Sequence, residues 1–451
     1  MFVDLTRKTG IVALAILALL WAAPAKLSAA DSKKKKDATS AAATAEKPKT
    51  VELDISKLVF PPAPAVPRLR YLDYYSAEKR EPAKSVAKEQ KKAGWMDRLA
   101  GVTPGSEKTA ETPKPRFQLL SPYGLAVDSK GLLYVADTKV GAIFIFNPEN
   151  SDLQMIKNGT DARFKSLFGL AMDDSDNLLA VDGALRHVMV FDSNHKLQTT
   201  FGEANLKNPC GVAIDVENRY VYVADADLDQ VLVYDADTYT LLRKIGTTGK
   251  EHTLRDAGNF SKPTNVAVDK DGNLYVTDTL NDRIEVFDAD SKFVREFGKN
   301  GDGAGDFARP KGIAIDSDGH IWVADAMLNR IQVFTAEGQI LMGLGGFGIM
   351  PAQFQALTGL AFDTKNNRLF TAEQLLGRVQ MFRYYTNAEA KAELDKKTAE
   401  LKKKADERSV VTNPKAAVTA PAASTPAAPE PAAAKDEGKA TPTTTPAVTA
   451  K

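Results

Sequence analysis

Between residues 262 and 287 the chain reads KPTNVAVDKDGNLYVTDTLNDRIEVF, where short apolar runs of period two alternate with turn residues. Val266 and Val268 alternate up to Asp269-Lys270-Asp271-Gly272, a tight-turn sequence. Leu274 to Val276 form a second run, and Ile284, Val286 and Phe287 form a third after a polar loop. Period-two patterning bounded by turn residues predicts three strands in succession. Such a unit has one apolar face and an unpaired edge, so it requires further copies of itself.

Those copies are present. The first strand recurs as Gly-Leu-Ala-Val-Asp128, Gly-Leu-Ala-Met-Asp173, Gly-Val-Ala-Ile-Asp215, Asn-Val-Ala-Val-Asp269, Gly-Ile-Ala-Ile-Asp316 and Gly-Leu-Ala-Phe-Asp363, with the aspartates 45, 42, 54, 47 and 47 residues apart. The second strand ends each time on an acid: Asp137, Asp182, Asp225, Asp278, Asp325 and Glu373. Five positions later the third strand opens on Ala142, His187, Gln230, Arg283, Arg330 or Arg378. Ahead of each copy stands one apolar residue: Leu119, Phe164, Leu206, Phe260, Phe307 or Phe354. A period of about 40–50 residues with three or four strands per unit is the signature of propeller blades.

The same residues carry a resemblance. A Pro two positions ahead of Gly, an apolar-Ala-apolar-Asp strand, a Tyr/Trp-Val-Ala/Thr-Asp strand and a third strand opened by Arg together resemble the NHL repeat family. The resemblance covers about residues 117–385 and is clearest in the fourth and fifth copies. It implies an all-β fold, a six-bladed β-propeller. Leu167 and Leu357 in place of proline, Ala142 in place of arginine and Glu373 in place of aspartate are departures at the edges of the pattern. Propeller lyases and lactonases of similar fold use central histidines or a Glu/Asn/Asp metal set, and no counterpart motif is found here.

The sixth copy ends near Tyr384 after three strands, and a propeller must close its ring. Arg68 to Tyr74, a strand without a nearby hairpin partner, is expected to supply the missing outer strand. The expected organisation is a signal peptide (1–30), a flexible leader (31–66), the ring-closing strand (67–75), a charged insertion (76–116), the propeller (117–385), a charged helix (386–410) and a Pro/Ala/Thr-rich disordered tail (411–451). Within the insertion, Trp95, Met96, Leu99 and Val102 share one helical stripe. In the helix, Leu394 and Leu401 form a thin apolar stripe that is expected to stay solvated.

Charge and the chain's start narrow the setting. The formal net charge is +1, yet residues 116–385 hold 27 Lys and Arg against 36 Asp and Glu, a net of −9, so the flanks are basic. An acidic propeller excludes a general nucleic-acid binder, which needs clustered positive charge. Arg7 and Lys8, the apolar run Ile11 to Ala25 and Ser28-Ala29-Ala30 before Asp31 predict a secretory signal peptide. Its run of about 15 residues is shorter than the roughly 20 of a membrane span. The expected location is periplasmic, secreted or cell-surface; the alternative is a membrane anchor formed by an uncleaved N-terminal segment. The single cysteine, Cys210, excludes an internal disulfide.

The recurring acids suit blade structure better than catalysis, because a catalytic site is asymmetric. Asp278 with Arg283, and Asp325 with Arg330, are spaced to pair across a loop. Asp225-Ala226-Asp227-Leu228-Asp229 alternates carboxylates as calcium loops do, but Gln230 and Ala236 stand where such a loop has glycine and glutamate. Histidines 187, 195, 252 and 320 show no metal-ligand spacing. No metal or other cofactor is therefore assigned. The candidate ligand-binding residues are Lys165, Lys207, Lys262, Arg309 and Lys311, which lie just before or within the entry to the first strand in four successive blades, with His252 in the longest inter-blade loop, Gly246 to Lys262, and Asn265 after it. They are expected to gather on one face round the central opening and to hold a protein or an anionic envelope polymer. The expected function is a binding or scaffold module; the alternative is a metal-dependent hydrolase or lyase with its site at the axis.

Overall fold

The structure is a computed structural model, and it describes residues 58–62, 65–77, 117–150, 152–247 and 256–412, all within the unit Asp54–Lys451. The expected signal peptide, most of the leader, the stripe from Trp95 to Val102, His252 and the tail beyond residue 412 lie outside the described residues.

Six antiparallel sheets follow one another along the chain, and each is a blade. The first strands of the blades are Pro122–Val127, Leu167–Met172, Pro209–Asp215, Pro263–Val268, Pro310–Ile315 and Leu357–Asp363. Each pairs with the second strand, the second with the third, and in blades 1 to 5 the third with a fourth. The second strands are buried almost throughout, as in Leu274–Asp278 and Ile321–Asp325, because they lie between neighbouring blades. Apolar clusters fill the spaces between adjacent blades, as where Val276 and Leu274 of blade 4 meet Tyr222 and Val233 of blade 3. The core is thus a ring of inter-blade layers.

The fourth strands were not individually legible in the sequence, and their burial explains it. Phe293–Phe297 and Leu197–Phe201 expose most of their positions and bury only the last residue. One buried side chain in five gives no period to read.

Blade 6 is completed from the N-terminal side. Leu69–Tyr75 pairs antiparallel with Arg378–Tyr384, with Leu69 opposite Tyr384 and Tyr75 opposite Val379. Val59–Phe60 adds a short fifth strand. Leu69, Tyr71 and Tyr75 are buried against the sixth blade and its neighbours, so ring closure rests on apolar packing as well as ladder hydrogen bonds.

Helix α1 (Asn387–Thr412) leaves directly from blade 6. Thr386 and Glu389 form a capping box: the Glu389 amide donates to Thr386 Oγ1 at 3.3 Å, and the Thr386 amide donates to Glu389 Oε2 at 3.0 Å. Leu394 and Leu401 are exposed, as a solvated stripe requires. Among the described residues no helix is long and apolar enough to cross a membrane.

Candidate functional site

The acid that ends each second strand is a structural hub. Asp182 Oδ2 accepts the Lys165 amide at 2.6 Å, Asp225 Oδ2 the Lys207 amide at 2.6 Å, and Asp325 Oδ2 the Arg309 amide at 3.0 Å. Asp137, Asp278 and Glu373 do the same for Ser121, Ser261 and Gln355. The other carboxylate oxygen caps the turn into the third strand, as Asp325 Oδ1 does for Met327 and Leu328. These acids therefore tie the chain's arrival at a first strand to the opening of the third, and three of them fix the backbone of Lys165, Lys207 and Arg309 on one face. That face also carries the blade-to-blade connections and is called the connection face below.

The expected pairs hold unevenly. Arg283 Nε donates to Asp278 at 2.9 Å, and Arg378 Nε donates to Glu373 at 2.7 Å. Arg330 instead donates to the carbonyls of Asp302 and Gly303, at 2.8 and 2.6 Å, so the expected Asp325–Arg330 pair is not formed. Four backbone amides already occupy Asp325, which leaves the guanidinium to brace the inter-blade loop. Asp225 is likewise saturated by amides of its own region, consistent with a structural rather than calcium-binding role.

The candidate ligand residues separate into three environments. Lys165, Lys207 and Arg309 are exposed, and among the described residues their side chains make no ion pair. Lys207 Nζ reaches only the Asp227 carbonyl, at 3.4 Å. Lys262 is different: its Nζ lies 2.5 Å from Asp227 Oδ1, and its amide donates to Asp229. Burial is slight there, and the Asp227 bond raises the Lys262 pKa, so this charge is engaged by the chain itself. Asn265 occupies the position that is glycine in the other five first strands, and its Oδ1 accepts the Val266 amide at 2.9 Å. His252 falls outside the described residues.

Lys311 turns inward. In every blade the pairing of first and second strands slips just after the first residue, as between Pro310 and Gly312 or Pro209 and Gly211. A slip of this kind leaves one residue out of the ladder and re-aims its side chain. The residues so placed are Tyr123, Phe168, Cys210, Thr264, Lys311 and Thr358. Lys311 Nζ of blade 5 lies 5.7 Å from the Tyr123 ring of blade 1, and Tyr123 meets Phe168 of blade 2 at 5.1 Å. Blades 5 and 1 are separated by blade 6, so these side chains meet in the central channel. The next residue explains how close the first strands come: a Cβ on Gly124, Gly169, Gly211, Gly312 or Gly359 would approach the next blade's backbone to under 3.0 Å. Burial pushes the Cys210 thiol up to about 12, which removes it as a nucleophile near neutral pH.

The connection face also carries apolar residues that sequence reasoning did not single out. Leu280, Met327 and Leu375 hold equivalent positions in the turns between second and third strands of blades 4, 5 and 6, with Met327 62% and Leu375 73% exposed. Phe347, Ile349 and Met350, in the connection from blade 5 to blade 6, are exposed as well. The corresponding turn residues of blades 1 to 3 are Lys139, Ala184 and Asp227. Aligning the copies for differences at one turn position, rather than for their shared core, would have shown this half-ring.

The opposite end of blade 5 holds a second constellation missed from sequence. Ligand atoms of Asp316, Asp318 and His320 lie within 4.8 Å of one another. Several of its ligand atoms are engaged within the protein: Asp316 Oδ2 accepts Trp322 Nε1 at 2.8 Å and contacts His320 Nδ1 at 2.9 Å, while Asp318 Oδ2 accepts the Tyr384 hydroxyl at 2.6 Å. The Asp316 carboxylate raises the His320 pKa and is itself lowered against its burial by the same bonds. The group joins blade 5 to blade 6 and α1.

Six sheets in a closed ring, with in-register acids seating each first strand, define a repeat-built β-propeller. The chain has the six-bladed propeller fold: residues 119–146 match the NHL repeat, and residues 255–414 match the family described as 6-bladed beta-propeller. NHL repeat-containing protein 2 of Bos taurus is 28% identical over 26% of this chain and 18% of its own length. A probable peptidyl-alpha-hydroxyglycine alpha-amidating lyase of Caenorhabditis elegans is 34% identical over 23% of this chain and 29% of its own. The matched stretches span less than a third of these relatives' lengths. Among solved structures, a gluconolactonase from Xanthomonas campestris is 18% identical with a TM-score of 0.47, covering 59% of this chain and 87% of that one. A streptogramin B lyase is 15% identical with a TM-score of 0.45, covering 60% and 95%.

Proposed function

We propose that this propeller is a binding module of the cell envelope, exported by its N-terminal segment, that captures an acidic protein partner on its connection face. The observation carrying this reading is the arrangement on that face of exposed Lys165, Lys207 and Arg309, without carboxylate partners among the described residues, beside the exposed apolar half-ring of Leu280, Met327 and Leu375. A mildly acidic domain that places unpaired cations on one rim steers a partner of opposite charge to that rim. Adjacent exposed apolar side chains supply the non-directional part of the affinity, and contiguous apolar surface of this kind marks protein interfaces. An anionic polymer would use the cations and leave the apolar half-ring idle, so a protein fits the face better.

The hydrolase or lyase reading draws less support. The side chains at the six register-slip positions are Tyr123, Phe168, Cys210, Thr264, Lys311 and Thr358, and these include no histidine and no carboxylate. A photo-crosslinking amino acid placed at Met327 is expected to trap one protein in envelope preparations. The same group at Glu337, an exposed turn residue on the far side of blade 5, should trap none. Equal trapping at both positions would refute the assignment of the face.

A further inference from the structure

We propose that the central channel contains a binding position for a single carboxylate group, held by the Lys311 ammonium against the Tyr123 ring. The position is independent of the connection-face partner. Lys311 stands in the slipped register position between Pro310 and Gly312, which directs its side chain into the throat. Its Nζ lies 5.7 Å from the centre of the Tyr123 ring, and among the described residues it has no ion pair and no hydrogen bond.

The groups that act on this ammonium are its own burial, the like charge of Arg309 two positions earlier and Cys210; no carboxylate is among them. Burial and Arg309 accordingly lower the Lys311 pKa. A cation–π contact recovers only part of the cost of taking an ammonium out of water. A negative charge beside Nζ of this half-buried side chain would supply the rest.

The surroundings specify the rest of the ligand. Phe168 packs at 5.1 Å on Tyr123, so the wall beside the ammonium is aromatic. The two threonine hydroxyls of the same ring are already committed: Thr358 Oγ1 donates to the Pro122 carbonyl at 3.2 Å, and Thr264 Oγ1 shares a 2.6 Å bond with Thr279. A dianion such as phosphate would need further donors or cations, and the ring supplies one ammonium. A monocarboxylate with a small apolar substituent matches both the charge and the wall. It could be a free small acid or the C-terminal carboxylate of a peptide chain.

The test uses the full chain in thermal unfolding at constant ionic strength, titrated with propionate, with propionamide as the neutral isostere, and with Ala-Ala dipeptide as the free acid or the C-terminal amide. Ligand that binds only the native state raises Tm saturably. Propionate is expected to raise the wild-type Tm by a few degrees at saturation and to leave Lys311→Met unmoved, and propionamide should move neither. Lys311→Met itself should melt no lower than wild type, since it removes a half-buried charge without an ion-pair partner among the described residues; Lys311→Gln serves if the methionine variant does not fold. A response to the dipeptide acid and not to its amide would identify a chain terminus as the source, and a response to propionate alone a free small acid. A double variant Lys165→Glu/Lys207→Glu should keep the propionate response, so loss of the face partner and loss of the throat site are separable. Equal Tm gains in wild type and Lys311→Met, or no saturable gain in wild type, overturn the proposal.

Discussion

Ring closure by the N-terminal strand is testable at one side chain. Leu69 is 0% exposed and lies in a cluster with Trp322, Phe354, Leu357, Leu369, Phe382 and Tyr384, which brings together blades 5 and 6. Leu69→Ala removes apolar carbon worth about 2 kcal/mol of transfer free energy and leaves a cavity whose walls are large aromatic rings with little freedom to collapse. The expected total is about 3–4 kcal/mol. Tyr74, in the same strand, is 46% exposed, so Tyr74→Ala is expected to change stability by about 0.5 kcal/mol or less. Urea unfolding followed by intrinsic fluorescence should show the midpoint of Leu69→Ala shifted down at unchanged slope, since the ring remains one cooperative unit. If Leu69→Ala costs no more than Tyr74→Ala, the strand is not packed into blade 6 and the closure is wrong.

Three further expectations follow from single positions. Burial lifts the Glu285 carboxyl to about 7 from an ordinary 4.5, although the Arg283 guanidinium beside it opposes the shift. Its unfolded form ionises first, so stability is lost as pH rises from about 4.5 to 7, on the order of 3 kcal/mol, and Glu285→Gln should flatten that part of the stability–pH curve relative to wild type. Gly359→Ala would press a methyl group against the Tyr123 carbonyl and should cost about 1–3 kcal/mol in urea unfolding, whereas Gly343→Ala, whose Cβ meets only an Ile331 oxygen at 3.9 Å, should be near neutral. Asp325→Ala leaves the amides of Ala308, Arg309, Met327 and Leu328 without their acceptor, so limited proteolysis is expected to cut residues 298–309 faster at unchanged secondary structure by circular dichroism.

The fold was legible because its determinants repeat. Gly-apolar-Ala-apolar-Asp, the acid that ends the second strand and the apolar residue ahead of each copy each answer to one structural demand: close approach of first strands, seating of the connection, and inter-blade packing. Closure by Leu69–Tyr75 was legible from an unfinished sixth copy and an unpaired strand. The candidate site was legible only in part. The sequence places Lys165, Lys207, Lys262, Arg309 and Lys311 just before or within the entry to the first strand in four successive blades, but it cannot show that Asp227 takes up Lys262 or that the register slip turns Lys311 to the axis. Both depend on contacts between blades, at separations of 35 residues and more than one blade. Arg330 shows the same limit, since its spacing from Asp325 equals that of Arg283 from Asp278 while its partners are loop carbonyls.

The central claim concerns the connection face, and it is tested most directly by charge reversal on that face. The variant Lys165→Glu/Lys207→Glu/Arg309→Glu alters three exposed side chains whose backbone amides, not side chains, are held by Asp182, Asp225 and Asp325. Its melting temperature should equal that of wild type, because surface changes of this kind move stability little. Its affinity for the protein trapped at Met327, measured by titration with that purified partner, is predicted to fall at least about tenfold and to lose most of its salt dependence. Unchanged affinity in a variant that melts normally would contradict the account.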